Sequence, residues 1–334
     1  MLLSVIIPAR DEEDSIGACL QSLAAQSGNG FQLGSEWEIL VVDDGSTDGT
    51  RAIAGSVPGV TVIDAAPLRR GWTGKASALW TAANSARGQW LLFTDADTIH
   101  EPGNLERAIR EAQKASVGML SYSPRQVVKG FWQRALMPLV FSELALAYPP
   151  QKVSDPANRL AAANGQFILV GREAYFKVGG HEAVAGSLLE DVELARLIKR
   201  RKLGLRFRYA PEALSTRMYR SFGAMFEGWT KNLALLFGNT LFLAAWRMLD
   251  VVLVVALPLL MLYFYQPIAR IGFAVLWLRT LWRIYSRSAK SNFPAIDCAL
   301  SLFAIPLFSL LLVRSWFHHT IKRRVSWKGR SYPA

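Results

Sequence analysis

Several acidic residues stand where a chain can do phosphate and hydroxyl chemistry. Asp43 and Asp44 follow the apolar run 39–42, and Asp95 and Asp97 follow the run 91–94. Alternate residues at a strand end can aim two carboxylates at one point. That arrangement holds a hard divalent ion together with phosphate oxygens. Each pair alone also suits a helix cap or a turn, because Asp-Gly-Ser favours turns. Two pairs at one sheet edge favour the metal reading. A third acidic group, Glu190 and Asp191, lies in Leu188-Leu-Glu-Asp-Val-Glu193. Val192, Leu194, Ala195 and Ile198 then recur at the spacing of a buried helix face. A carboxylate at that helix start can serve as a general base toward an acceptor hydroxyl. It also favours the positive end of the helix dipole, which needs no chemistry.

Cations accompany the acids. Lys75 ends the loop Arg70-Gly-Trp-Thr-Gly-Lys75, and a glycine-punctuated loop opening a helix offers N–H groups and a cation to a diphosphate. The full phosphate-loop spacing is missing, and a solvated surface lysine accounts for the residue as well. Arg217 and Arg220 have the guanidinium chemistry to grip phosphate, and Trp229 has a flat apolar face for a sugar or lipid. The same stretch through Lys231 also reads as an amphipathic helix lying on a membrane. His318 and His319 are adjacent and so do not share a helical face, with no third ligand nearby. No metal site is expected there. Two cysteines, Cys19 and Cys298, exclude a disulfide scaffold and a cysteine-rich zinc module.

The elements that must position these residues alternate between strand and helix. Apolar runs at 3–7, 38–42, 60–63 and 90–94 read as strands. Helices are expected at 15–25, with Ile16, Leu20 and Leu23 on one face, from about Thr50, and from the Lys75 loop through Ala86. Asp11 or Asp14 is placed to cap the first of them, and Gly186 to bend the loop before Glu190. Such alternation means an α/β fold with an open, mostly parallel sheet covered by helices on both faces. Ligands then bind outside the carboxyl ends of the strands, where the acids cluster.

The charge is divided unevenly. The net of +12 hides 16 basic and 22 acidic side chains in residues 1–195, against 11 basic and 1 acidic in 266–334. With 51% hydrophobic and 19% charged residues, the chain is neither disordered nor low-complexity. Uncharged runs at 251–265 and 298–313 contain Pro258 and Pro306, and an apolar run at 271–278 is followed by Arg279 and Arg283. A spanning helix takes about 20 apolar residues, so these runs must recruit neighbours. Two to three membrane segments are expected. Residues 134–148 read either as an interfacial helix or as a core helix of the soluble domain. Basic residues interleaved with apolar runs suit anionic lipid headgroups and not nucleic acid. The beginning of the chain has no signal-peptide pattern, so the acidic half is expected in the cytoplasm.

In combination, Val-Ile-Ile-Pro-Ala-Arg-Asp-Glu-Glu, Val-Val-Asp-Asp-Gly-Ser-Thr-Asp, Gly-Trp-Thr-Gly-Lys, Thr-Asp-Ala-Asp and Leu-Leu-Glu-Asp-Val-Glu resemble a family 2 glycosyltransferase with the GT-A nucleotide-sugar fold. The tail from Val325 to Tyr332 resembles a membrane-bound branch that includes carotenoid, hopanoid-associated and ceramide-type lipid glycosyltransferases. The resemblance implies a Rossmann-like catalytic domain over 1–232, membrane helices over 233–317 and a basic cytoplasmic tail over 318–334. It implies that Pro8, Arg10 and Glu12 line the nucleotide pocket, with Asp43 and Asp44 near base and ribose and Lys75 against the nucleotide or diphosphate. Asp95 and Asp97 match the DxD motif that holds Mg²⁺ or Mn²⁺ on the diphosphate. Asp191 matches the base, with Glu190 beside it. Arg217 and Arg220 stand where relatives carry a Gln/Arg-x-x-Arg-Trp motif, but Ser221 replaces the tryptophan, which argues against a processive polysaccharide synthase. Asn164-Gly-Gln166 approaches the donor sugar in this scheme.

The implied activity is inverting, metal-dependent transfer from a nucleoside diphosphate sugar, uridine being the family's common base, to a hydroxyl or carboxyl of a lipid acceptor at the inner (plasma) membrane. A nucleotidyltransferase uses similar acidic strand ends and releases pyrophosphate instead. A non-catalytic nucleotide-sugar-binding module is the third reading.

Overall fold

The computed structural model describes residues 1–26, 28, 30–327 and 330–333. The chain divides into two compact units, one of residues 1–127 with 148–218 and the other of 128–147 with 219–334.

The first unit begins with β1 (Leu3–Ala9), α1 (Ile16–Ala24), β2 (Trp37–Asp43), α2 (Thr50–Gly55), β3 (Val60–Asp64), α3 (Gly74–Ser85) and β4 (Trp90–Phe93). It continues through β5 (Thr98–His100), α4 (Asn104–Lys114), β6 (Met119–Ser123) and β7 (Arg125–Gln126). After α5 (Gly130–Ala147), which belongs to the second unit, come α6 (Pro150–Ser154), β8 (Ile168–Gly171), α7 (Arg172–Lys177), α8 (Glu190–Arg200), β9 (Leu205–Tyr209) and β10 (Leu214–Thr216). Seven strands form one sheet in the order β3-β2-β1-β4-β8-β6-β9. The strands β3, β2, β1 and β4 are parallel, while β8 runs antiparallel to both β4 and β6. β5, β10 and β7 make a separate small sheet.

The α/β expectation holds, and the reason lies in burial. All of β2 and nearly all of β1 are buried, as befits strands covered on both faces, so their sequences read as apolar runs without alternation. Ile16, Leu20, Leu23, Leu105 and Ile109 pack on one face of the sheet, and Leu79, Ala82, Leu194 and Ile198 on the other. Because β2 and β4 flank β1 on opposite sides, the chain order reverses there, which opens a crevice at the carboxyl ends.

One local expectation is corrected. Asp11 does not cap α1; at φ 50° it turns across to Thr47, whose N–H donates to its Oδ1 at 2.8 Å. Gly186, before α8, has no room for a side chain. A Cβ there would lie 2.9 Å from the Gly71 carbonyl oxygen, so close approach of two loops explains the glycine.

In the second unit, α5 is followed by α9 (Phe222–Leu236), α10 (Thr240–Tyr263), α11 (Pro267–Ser288) and α12 (Ala295–Phe317). A π-helical turn over His318–Lys322 leads to the hairpin β11 (Arg324–Trp327) and β12 (Arg330–Pro333). Of the tail, Lys328, Gly329 and Ala334 lie outside the described residues. The helices Thr240–Tyr263 and Ala295–Lys322 are long and apolar enough to cross a membrane. Pro258 and Pro306 both sit inside helices. Helix α10 recruits residues 240–250, whose charges are neutralised in place: Arg247 pairs with Asp250 at 2.7 Å, and Asp250 also accepts from Arg283. Glu143 of α5 takes Arg287 at 2.6 Å, and Arg134 takes Asp297 at 2.7 Å. Residues 134–147 therefore pack with the apolar helices and not in the sheet's core.

Trp229 corrects a further expectation. It is 2% exposed and packs against Phe141 and Tyr219, so it offers no face to a ligand. The two histidines face backbone: His319 Nε2 lies 2.8 Å from the Lys231 carbonyl oxygen and His318 Nδ1 3.3 Å from that of Arg324.

Candidate active site

At the carboxyl edge of the main sheet, α3 and α8 aim their first turns at the end of β4. Thr73 caps α3 by accepting from the Ala76 N–H at 3.2 Å, which sets Lys75 in the first turn. The Lys75 ammonium lies 2.8 Å from Asp95 Oδ1 and 3.1 Å from Glu190 Oε1. Asp191, one residue into α8, accepts from the Gly165 N–H at 2.9 Å through Oδ2 and from the Val192 N–H at 2.8 Å through Oδ1. Pro8, Lys75, Asp95, Gly165, Glu190 and Asp191 line one pocket. The sequence-derived positions Pro8, Lys75, Asp95, Glu190 and Asp191 are thus brought together by β1, α3, β4 and α8.

The charges are strongly coupled. Burial works against the Lys75 ammonium, but Asp95, Glu190 and Asp191 outweigh it and hold its pKa well above the usual lysine value. Burial and then the Glu190 charge push Asp191 up to about 6. Asp97 rises to about 7, through burial and then the charges of Asp95 and Glu12. Its Oδ1 is buried without a hydrogen-bond partner among the described residues. Among the described residues no three His, Cys, Asp or Glu side chains converge as a complete metal cage. The donor set nevertheless fits Mg²⁺ or Mn²⁺: Asp95 and Asp97 are hard oxygen ligands, one oxygen of Asp97 is unclaimed, and these metals keep positions for phosphate oxygens.

The other expected nucleotide-binding residues are not among those lining this pocket. Arg10 Nη1 donates to the Asp44 carbonyl at 3.1 Å and lies 3.9 Å from its carboxylate. Glu12 accepts from Ser15 Oγ at 3.1 Å, while its N–H donates to Thr50 Oγ1 at 2.7 Å. Asp43 is buried, accepting from the Ser46 N–H at 3.1 Å and pairing with Arg51 at 3.4 Å. Arg217 follows β10 with its Nε buried and without a hydrogen-bond partner among the described residues. Arg220 is exposed and lies in the second unit.

The sequence does not single out Thr216 or His181 as chemistry, and it offers Gly165 only within Asn164-Gly-Gln166. Gly165 is needed bare, because a Cβ would stand 3.0 Å from Lys75 Nζ and 3.4 Å from Asp191 Oδ2. Thr216 hydrogen-bonds Asp97 and accepts from Gln166 Nε2 at 3.1 Å. His181 joins the pocket wall, and its only signal was the preceding pair Gly179-Gly180, both with positive φ.

Comparison with known proteins accords with this geometry. The model for glycosyl transferase family 2 matches residues 4–179. The 4,4'-diaponeurosporenoate glycosyltransferase of Staphylococcus aureus strain MRSA252 is 27% identical over 348 residues, covering 99% of this chain and 88% of its own. The mannosyltransferase of Pyrobaculum calidifontis, solved with GDP-mannose and Mn²⁺, superposes with a TM-score of 0.55 at 19% identity. That superposition covers 96% of this chain and 87% of the other, a likeness of fold. With the family model spanning more than half of its residues, the chain belongs to glycosyl transferase family 2 and is an enzyme that transfers a glycosyl group from a nucleotide sugar.

Proposed function

We propose that the enzyme is an inverting, metal-dependent glycosyltransferase that moves the sugar to a hydroxyl or carboxyl group of a lipid acceptor, with Asp191 as the base. The observation that carries this reading is the setting of Asp191. Two backbone N–H groups fix its carboxylate beside the Lys75, Asp95 and Glu190 cluster, which presents a held base to a charged pocket.

Lys75 supplies positive charge to the pocket for the diphosphate, and Glu190 holds that ammonium in place. Asp95 and Asp97 would hold Mg²⁺ or Mn²⁺, which supplies Lewis-acid stabilisation of the leaving diphosphate when bound. From the opposite side of the sugar, Asp191 takes the proton of an acceptor hydroxyl as the oxygen attacks the anomeric carbon and the diphosphate leaves. An in-line displacement inverts that carbon.

The lipid acceptor is supported by the relative named for 4,4'-diaponeurosporenoate and by the two long apolar helices. Helices within 233–317 serve as the membrane part, at the inner (plasma) membrane. The basic tail 318–334 faces the cytoplasm, toward anionic headgroups. Uridine diphosphate is our first choice of leaving group. The test is full-length protein in detergent with Mn²⁺, a carotenoid acid or a long-chain alcohol, and UDP- and GDP-sugars. Acceptor-dependent release of nucleoside diphosphate is expected. Release of pyrophosphate, or no dependence on a lipid acceptor, overturns the proposal.

A further inference from the structure

We infer that His181 reads a hydroxyl group of the donor sugar through its Nε2–H; this rests on the pocket being the nucleotide-sugar site. His181 is 1% exposed and lines the pocket together with Lys75, Glu190 and Asp191. Its Nδ1 lies 2.8 Å from the Tyr175 hydroxyl, and that hydroxyl oxygen accepts from the His181 N–H at 3.0 Å. A phenol has one proton to give. Directing it to Nδ1 satisfies both contacts, whereas the other tautomer strands a buried phenolic proton. The imidazole proton therefore sits on Nε2, where no acceptor among the described residues meets it. Burial keeps the ring neutral, pushing its pKa down to about 4. The Phe93 ring, edge-on at 4.7 Å, and the bare Gly180, where a Cβ would strike the Tyr175 ring, fix the imidazole plane.

A buried donor without an acceptor is costly and persists where a ligand completes it. A neutral N–H suits a neutral oxygen, and the diphosphate already has Lys75. The place beside Glu190 and Asp191 is where the glycosyl carbon must lie for Asp191 to act as base. The ligand oxygen there is a sugar hydroxyl. Sites built to bond a hydroxyl discriminate strongly against analogues that lack it.

The experiment compares wild type, His181→Phe and His181→Gln in binding UDP-glucose, GDP-mannose, UDP and GDP with Mn²⁺, each sugar nucleotide against its own diphosphate. His181→Phe is expected to weaken the sugar nucleotide about tenfold while leaving the diphosphate within about twofold. His181→Gln, which keeps an N–H at similar reach, is expected to recover most of the loss. One monodeoxy donor should bind more weakly to wild type and no differently to His181→Phe. Equal weakening of sugar nucleotide and diphosphate, or unchanged binding of both, overturns the role of His181 and leaves the site assignment standing. Failure of wild type to bind any sugar nucleotide overturns the site assignment itself, and this inference with it.

Discussion

The Gly165 N–H donates to Asp191 Oδ2 at 2.9 Å, and the same glycine leaves room for the Lys75 ammonium beside that carboxylate. One backbone position thus sets the base and admits the cation. A methyl group there would meet Lys75 Nζ at 3.0 Å, and the tip of a flexible side chain can yield. Gly165→Ala should therefore fold normally while Lys75 moves off Asp95 and Glu190. We expect turnover to fall by about tenfold or more, since small misplacements in a site are costly to rate, with thermal unfolding nearly unchanged. Unfolding at a much lower temperature would mean that the glycine serves the fold and not the site.

Asp191→Asn keeps the shape of the side chain and removes the base. Transfer to a hydroxyl acceptor should drop by about 10² to 10⁴, the usual contribution of a general base, while nucleoside diphosphate binding holds. In wild type the carboxyl titrates at about 6 and works deprotonated. Turnover should therefore rise with pH through about 6 and level off above it. Near-normal turnover in the variant would sink the assignment.

Asp97 titrates at about 7 in the fold, above its ordinary value of 3.8, so the folded protein holds this proton more tightly than the unfolded chain does. Its contribution to stability is fully present below about pH 4 and is lost as pH rises through about 7. Asn cannot ionise. In metal-free buffer, Asp97→Asn should unfold a few degrees above wild type at pH 8, and at the same temperature near pH 4. Millimolar Mn²⁺ should raise the wild-type unfolding temperature and leave the variant's unmoved, because only a bound ion stabilises the native state. Scanning calorimetry at both pH values checks each limb.

The sheet edge could be read from the sequence because a buried parallel strand announces itself as an apolar run and its acids come directly after. The direction of β8 could not, since four apolar residues, Ile168–Gly171, carry no sign of polarity along the chain. Trp229 looked available because a helical pattern shows which residues share a face and not what covers that face. Its partners Phe141 and Tyr219 come from distant and adjoining segments. His181 is silent in the sequence for a similar reason. Its chemistry depends on the Tyr175 hydroxyl, a pairing made by the turn at Gly179 and Gly180. The start of α10 was hidden by Arg247 and Asp250, which break the apolar run in sequence and cancel one another in space.

That cancellation yields a prediction about stability. Asp250 is 1% exposed and accepts from both Arg247 and Arg283, and Arg247 lies 3.6 Å from Glu143, which also binds Arg287. Three guanidinium groups therefore share two carboxylates among the helices α5, α10 and α11. Removing Asp250 leaves buried Arg247 with only the longer contact to Glu143, which Arg287 shares, and breaking a buried pair typically costs about 3–5 kcal/mol. Asp250→Ala should accordingly destabilise the protein in detergent by an amount of that order. A well-packed apolar pair has no charge to bury, and such replacements of buried ion pairs are often neutral or better. The double variant Arg247→Met with Asp250→Leu should therefore recover a large part of the loss, although Arg283 then keeps only its solvent-exposed side. Thermal unfolding of wild type, single and double variants in the same detergent separates the two effects. A double variant no more stable than Asp250→Ala would show that the carboxylate acts through Arg283 instead of through Arg247.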